Sequence, residues 1–258
     1  MQDAIVLRHD QHAISQLILN RPEKFNALSS EVMTLLQNHL DSIAQDKTIK
    51  VVIIKAHGKA FSAGHDLKEV RHREDKAFHE ALFNQCSQMM LSINQLPQPV
   101  IAEVNGIATA AGCQLVANCD LAVASPQAKF AVSGINFGLF CSTPAVALSR
   151  NLSQKHALKM LLTGEFIDAQ QALNYGLIND LVDESTLSQH TLAIAESIAA
   201  KPAAAIALGK AMFYKQLKMD LPTAYQYASE TMACNMDTDH AREGIDAFLQ
   251  KRTPNWSK

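Results

Sequence analysis

Apolar positions recur at helical spacing in two early stretches of the chain. Val32, Leu36, Leu40 and Ile43 lie three to four residues apart behind Ser29, a suitable N-cap, and predict a helix over 30–45. Phe78, Leu82, Cys86, Met89 and Ile93 predict a second helix, ended by Pro97 and Pro99. Other stretches follow a different pattern. Residues 51–54 are an unbroken apolar run of β-branched side chains, as a strand buried on both faces is, and Val100–Val104 reads as the next buried strand. Residues 4–7 and Ile14–Leu19 read as short strands around a polar turn, and Leu121–Ala124 as a further strand. Leu115 and Val116 mark a short buried helix, and 55–67 reads as a loop. Strand, helix, strand, helix in this order argues for an α/β architecture. Beyond residue 145 helical spacing dominates, over 155–162, 168–175, 187–200, 203–217, 222–235 and 239–251, with Val182 closing the last strand. Lys201-Pro202 then divides a core, 1–200, from a helical segment, 201–258.

Composition narrows the function classes. Apolar residues make up 48% of the 258 positions, enough to bury a core. Lys plus Arg number 23 against 25 Asp plus Glu, so nothing points to a nucleic-acid backbone as partner. The longest uncharged run, 130–149, is 20 residues long but carries Ser133, Gly134, Asn136, Gly138 and Pro144. It reads as turns and a pocket wall, and no membrane insertion is expected. The N-terminal stretch has neither an apolar signal core nor the Arg/Ser bias of a transit peptide. The five cysteines form no CxxC or Cys/His metal spacing. Reduced thiols in the cytoplasm are the expectation, with the mitochondrial matrix the alternative if a transit peptide preceded this sequence. Neither a metal nor a separate cofactor is expected.

Two turns of small residues carry the chemistry. One is 62–67, Ser-Ala-Gly-His-Asp-Leu; the other is 108–114, Ala-Thr-Ala-Ala-Gly-Cys-Gln, between a strand and a helix. Both expose backbone N–H groups, and the second lies at a helix N-terminus, where partial negative charge is favoured. Two converging donors make an oxyanion hole for a thioester. Close packing of a helix on a sheet also selects Ala and Gly, so spacing alone leaves both readings open.

The order of motifs resembles the crotonase, or enoyl-CoA hydratase/isomerase, superfamily. Asn20-Arg21-Pro22 with Asn26-Ala27-Leu28 resembles its early signature, and 61–67 its F-x-A-G-x-D-[LI] loop. Pro99 to Ala102, Asn105-Gly106, Gly112-Cys113 and Cys119-Asp120-Leu121 resemble its central motifs. Gly164, Ala169, Ala172, Gly176-Leu177 and, near the end, Glu243-Gly244, Ala247-Phe248-Leu249 and Lys251-Arg252 resemble its later ones. Within the superfamily, 108–113, 136–144 and 214–217 are similar to one subgroup. The resemblance implies an α/β spiral of ββα units, followed by helices that build homotrimers or homohexamers. It implies an acyl-CoA thioester as ligand, with coenzyme A part of the substrate. The implied oxyanion donors are the N–H groups of His65 and Ala111. Ala63, Asp66, Leu67 and Lys68 are implied to border the CoA moiety, and Phe248 and Lys251 its adenine or phosphate end.

The chain departs from the hydratase pattern at the acid and base. The two glutamates of that pattern fall at Gln114 and Gly134, and neither residue carries a titratable proton near neutral pH. Such groups contribute about 10²–10⁴-fold each, so the residues argue against hydration. Cys141, Ser142 and Thr143 border the implied acyl site, Cys141 as a nucleophile or as plain pocket wall. The His65 side chain could reach the thioester or the CoA phosphates, and Gln114 could orient a water. Asp66 reads as a helix cap or loop brace. Three functions remain in competition: an enzyme on acyl-CoA (hydratase by family habit, decarboxylase or thioesterase by its pocket), a non-catalytic acyl-CoA holder, and an assembly subunit.

Overall fold

The computed structural model of the chain describes residues 4–73 and 75–256. The order strand, strand, helix repeats three times. Strands β3 (Val51–Ala56) and β4 (Ala60–Ser62) precede helices α2 (Leu67–His72) and α3 (Lys76–Gln95). Strands β5 (Val100–Val104) and β6 (Ile107–Thr109) precede α4 (Ala111–Asn118). Strands β7 (Leu121–Ala124) and β8 (Lys129–Ala131), followed by a 3-10 turn at Ser133–Phe137, precede α5 (Ser142–Asn151). The first strand of each pair joins one sheet and the second joins another. One sheet has six strands: β1 (Val6–Gln11), β2 (Ile14–Leu19), β3, β5, β7 and β10 (Asp180–Leu181), parallel except for the β1–β2 hairpin. The other orders β4, β6, β8 and the antiparallel β9 (Ile167–Asp168). The chain therefore winds as a spiral of ββα units.

Two cores explain the unbroken apolar runs. Val52 and Ile54 face a large core with Leu36, Leu40, Cys86 and Met89 from α1 (Ser30–Gln45) and α3. Val51 and Ile53, pointing the other way, pack with Ile101 and Val123 against Leu187 and Ala195 of α8 (Leu187–Ala199). Alternate side chains of one strand leave on opposite faces, so both sets had to be apolar. The Ser29 hydroxyl caps α1 by accepting from the Val32 N–H at 3.3 Å.

Several expected elements shift. The first strand is Val6–Gln11, not 4–7. It is an edge strand whose last three residues are exposed, so its polar half gave no apolar signal. The 55–67 loop contains β4, and the 130–149 run contains the end of β8 and the first turns of α5. Three-residue strands are too short to show a period of two. Val182 lies one residue past β10, although its N–H still donates to Ala124 O at 3.1 Å.

Helices α6 (Gln154–Thr163) and α7 (Ala169–Tyr175) follow α5. The last three helices, α9 (Ala203–Gln216), α10 (Leu221–Met236) and α11 (Asp239–Leu249), stand apart from the cores: Ala247 is their one buried residue. They expose Phe213, Leu217, Leu221, Tyr225, Met232 and Phe248. Among the described residues no single helix is long and apolar enough to cross a membrane.

Candidate active site

The two small-residue turns follow the paired strands β4 and β6, and buried amides and hydroxyls fix the first of them. Asn26 is buried, and its Nδ2 donates to His57 O at 2.9 Å and Ala60 O at 2.8 Å, while its Oδ1 accepts from the Arg21 N–H at 2.8 Å. Phe25 and Asn26 both hold left-handed φ values, 51° and 52°, which turn the chain toward β4. There Ala63 N–H donates to Phe25 O at 3.0 Å, Ser62 Oγ to Asn26 O at 2.9 Å and Leu28 N–H to Gly64 O at 2.7 Å. This zipper fixes Gly64 and with it His65. Gly64 has φ +86°, and a Cβ there would lie 2.9 Å from Thr109 O and 3.0 Å from the Ala111 nitrogen. No residue but glycine allows this approach of the two turns.

The second turn is strained. Ala110 adopts φ 51°, ψ −120°, a region that costs a non-glycine residue about 1–3 kcal/mol. This conformation starts α4 at Ala111, whose N–H precedes any intrahelical acceptor. Among the described residues neither the His65 N–H nor the Ala111 N–H finds an acceptor within the chain. Two unpaired donors thus sit on turns in van der Waals contact, at the edge of a cavity of about 240 Å³.

The cavity is apolar over most of its lining. Val70, Phe83, Phe137, Phe140 and Pro144 contribute to it, and Ser133, Ser142 and Thr143 bring hydroxyls. Of the residues the sequence singles out, Ala63, His65, Leu67, Ala111, Gly134 and Cys141 line this cavity. Asp66, Lys68, Gln114, Phe248 and Lys251 do not. Gln114 is buried one turn past Ala111 on α4, with its side-chain oxygen unpartnered. Phe248 is exposed on α11, and Lys251 follows that helix at φ 54°.

Cys141 occupies the space a glutamate would need. A Cβ on Gly134 would lie 2.7 Å from Cys141 Sγ and 2.7 Å from Leu139 O. The thiol is half-buried, and burial pushes its pKa above the ordinary value, an effect the Gly134 backbone only partly offsets. It is protonated at neutral pH, which removes the activation a nucleophilic cysteine requires. The other thiols are also free, with Cys86 and Cys113 pushed up to about 12 by burial. Among the described residues no group of three or more His, Cys, Asp or Glu side chains could hold a metal ion.

His65 has a ring nitrogen that sequence reasoning could not single out. Its Nδ1 lies 3.4 Å from Leu28 O, and its ring packs edge-on against Phe83 at 5.3 Å. Its Nε2 is buried without any partner. Burial lowers its pKa most, with Leu28 O and Glu69 opposing, so the imidazole is neutral at pH 7. A carbonyl accepts only, which places the proton on Nδ1 and the lone pair on Nε2.

Asp66 is a cap. Its Oδ1 accepts from the Lys68 N–H at 3.0 Å and the Glu69 N–H at 3.4 Å, starting α2. That helix supplies the cavity walls Leu67 and Val70. Asp66→Ala is expected to cost about 1 kcal/mol, a Tm drop of about 2–4 °C. An unchanged melting curve would exclude the capping role.

Comparison with known proteins bears on this geometry. The profile of the enoyl-CoA hydratase/isomerase family matches residues 9–258. The chain belongs to that family, and its fold is the α/β crotonase fold. Within the family it is similar to the human enoyl-CoA hydratase domain-containing protein 3, mitochondrial. The two are 50% identical over 244 residues, 95% of this chain and 80% of the human one. The crystal structure of that human protein superposes with a TM-score of 0.96 at 47% identity, covering 98% of this chain and all of the other. An enoyl-CoA hydratase structure from Mycobacterium smegmatis superposes at 0.97 with 51% identity, covering 99% of this chain and all of that one.

Proposed function

We propose that this protein is an enzyme of acyl-CoA metabolism that binds an acyl-CoA thioester, with the carbonyl oxygen between the N–H groups of His65 and Ala111. The observation that carries this is the pair of acceptor-less donors on touching turns beside an apolar cavity. Such donors stabilise an oxygen that gains charge, whether in an enolate or a tetrahedral intermediate. The acyl group occupies the cavity, and Ala63, Asp66, Leu67 and Lys68 flank the CoA arm. The exposed apolar faces of α9 to α11 suit a trimer or a dimer of trimers, built by a C-terminal segment, 201–258, distinct from a core, 1–200. In that assembly Phe248 and Lys251 meet the adenine or phosphate end of the CoA of a neighbouring subunit. Hydration of a 2-enoyl group is not the reaction proposed, because among the described residues no carboxylate lines the cavity. A protein that holds acyl-CoA without turnover is the second reading, favoured by that same lining. A reducing compartment, cytosol or matrix, suits five unpaired thiols; the human relative is named mitochondrial.

The test compares an acyl-CoA thioester with its thioether analogue, which lacks the carbonyl oxygen. Two backbone hydrogen bonds at about 1 kcal/mol each predict roughly tenfold or more tighter binding of the thioester. Equal affinities by calorimetry would exclude the oxyanion site.

A further inference from the structure

A buried polar atom with no partner is rare, because desolvating it without a replacement hydrogen bond costs about 1–3 kcal/mol. His65 Nε2 is such an atom, on a residue that lines the cavity and whose own N–H is one of the two carbonyl donors. Nδ1 is engaged by Leu28 O, so the free lone pair of the ring lies at Nε2, which is covered in this structure. Among the described residues no other side chain of the cavity lining accepts a proton near neutral pH; the rest are apolar side chains, hydroxyls and the Cys141 thiol. Among the described residues no cationic side chain lines it either, so an acyl group bearing a carboxylate finds no counter-charge from them.

We propose that the His65 imidazole is the catalytic base of this site, and that the reaction it serves is hydrolysis of an uncharged acyl-CoA thioester. This rests on the thioester-binding reading above. A water oxygen attacks the carbonyl carbon, and one water proton passes to Nε2. The carbonyl π pair moves onto the oxygen between the two N–H groups. As the intermediate collapses, the C=O bond reforms and the C–S bond breaks. The departing CoA thiolate takes the proton back from Nε2. The products are a carboxylic acid and free CoA, with no other reactant consumed. Leu28 O and the nearby Glu69 carboxylate on α2 stabilise the transient imidazolium. The Cys141 thiol, the other titratable group of the lining, stays protonated throughout.

The experiment follows thiol release from acetyl-, butyryl- and hexanoyl-CoA in ¹⁸O-water, with the thioether comparison run beside it. The expected result is release of free CoA with one ¹⁸O in the acid. His65→Gln, which keeps the backbone donor, is expected to lower kcat by about 10²–10⁴-fold. In wild type, kcat/KM is expected to be flat above pH 6.5 and to fall at lower pH as the imidazole protonates. That acid limb is expected to vanish in His65→Gln, and added imidazole to restore part of the rate of His65→Ala. Thioester-selective binding with no CoA release overturns the hydrolysis proposal and leaves the binding reading standing. So does turnover only by water addition to an enoyl-CoA or by loss of carbon dioxide. Hydrolysis by wild type with no acid limb removes His65 as base, even if the variants fail to fold. Equal affinity for thioether and thioester overturns the binding reading itself.

Discussion

Gly134→Glu does not turn this protein into a hydratase, and it lowers the Tm by about 2–12 °C. The resemblance to the hydratase pattern implies a glutamate at this position, so introducing one is the obvious gain-of-function experiment. Geometry opposes it. The new Cβ would lie 2.7 Å from Cys141 Sγ and equally close to Leu139 O. The thiol can move, but the carbonyl cannot do so freely: Leu139 N–H donates back to Gly134 O at 3.0 Å and closes the 3-10 turn. Overpacking of this kind costs about 1–3 kcal/mol, which the size of the chain converts to that range of Tm. A carboxylate added to the mostly apolar lining also has its pKa raised by desolvation, which weakens it as a base. Cys141→Gly added to Gly134→Glu is expected to recover part of the lost stability by removing one of the two clashes. Combining Gly134→Glu with Gln114→Glu is expected to leave 2-enoyl-CoA unchanged in mass. Water addition by that pair at wild-type Tm would show that the missing glutamate is an accident of sequence, not a feature of the packing.

The class of fold was legible because its central strands are buried on both sides. Val51 to Ile54 had to be apolar throughout, and an unbroken run is hard to mistake. The second strand of each ββα unit was not legible. β4, β6 and β8 are three residues each, and their positions are set by pairing with one another rather than by local pattern. Motif order brought out both turns, and close backbone contacts explain their glycines: a Cβ on Gly112 would lie 2.2 Å from Ser62 O. The sequence also put Gln114 and Gly134, rather than glutamates, at the two positions that the resemblance singles out. It could not show that Cys141 fills the vacated volume, because a 3-10 turn and Gly138 at φ +78° bring the thiol back over Gly134. Nor could it show the orphaned Nε2, which depends on Leu28 O lying beside the other ring nitrogen.

Lys210→Met is expected to lower the Tm by about 6–20 °C and to expose the Lys201 region to protease. Lys210 sits on α9, which buries none of its apolar residues, so something other than hydrophobic area holds the helix against the core. Its Nζ donates to Ile93 O at 2.9 Å, Gln98 O at 3.0 Å and Asp120 Oδ2 at 2.6 Å, which uses all three protons. Asp120 in turn accepts from the Val100 N–H at 2.7 Å and, through Oδ1, from Tyr214 Oη at 2.8 Å. Tyr214 lies one turn beyond Lys210, so two residues of α9 grip one carboxylate at the start of β7. Both side chains of the pair are largely buried, at 7% and 14% exposure. Desolvation pushes the Lys210 pKa below its ordinary value despite Asp120, which marks how little water reaches it. Removing one partner of such a pair leaves a buried charge uncompensated and costs about 3–5 kcal/mol, and that figure sets the Tm range. Lys210→Arg is not a rescue, because a planar fork does not match three acceptors converging on a point. Lys210→Met with Asp120→Asn is expected to regain a large part of the loss, since the stranded charge goes with the partner. A single variant that melts within 2 °C of wild type, with unchanged proteolysis, would mean that α9 is held by the exposed faces of the terminal helices and not by this cluster.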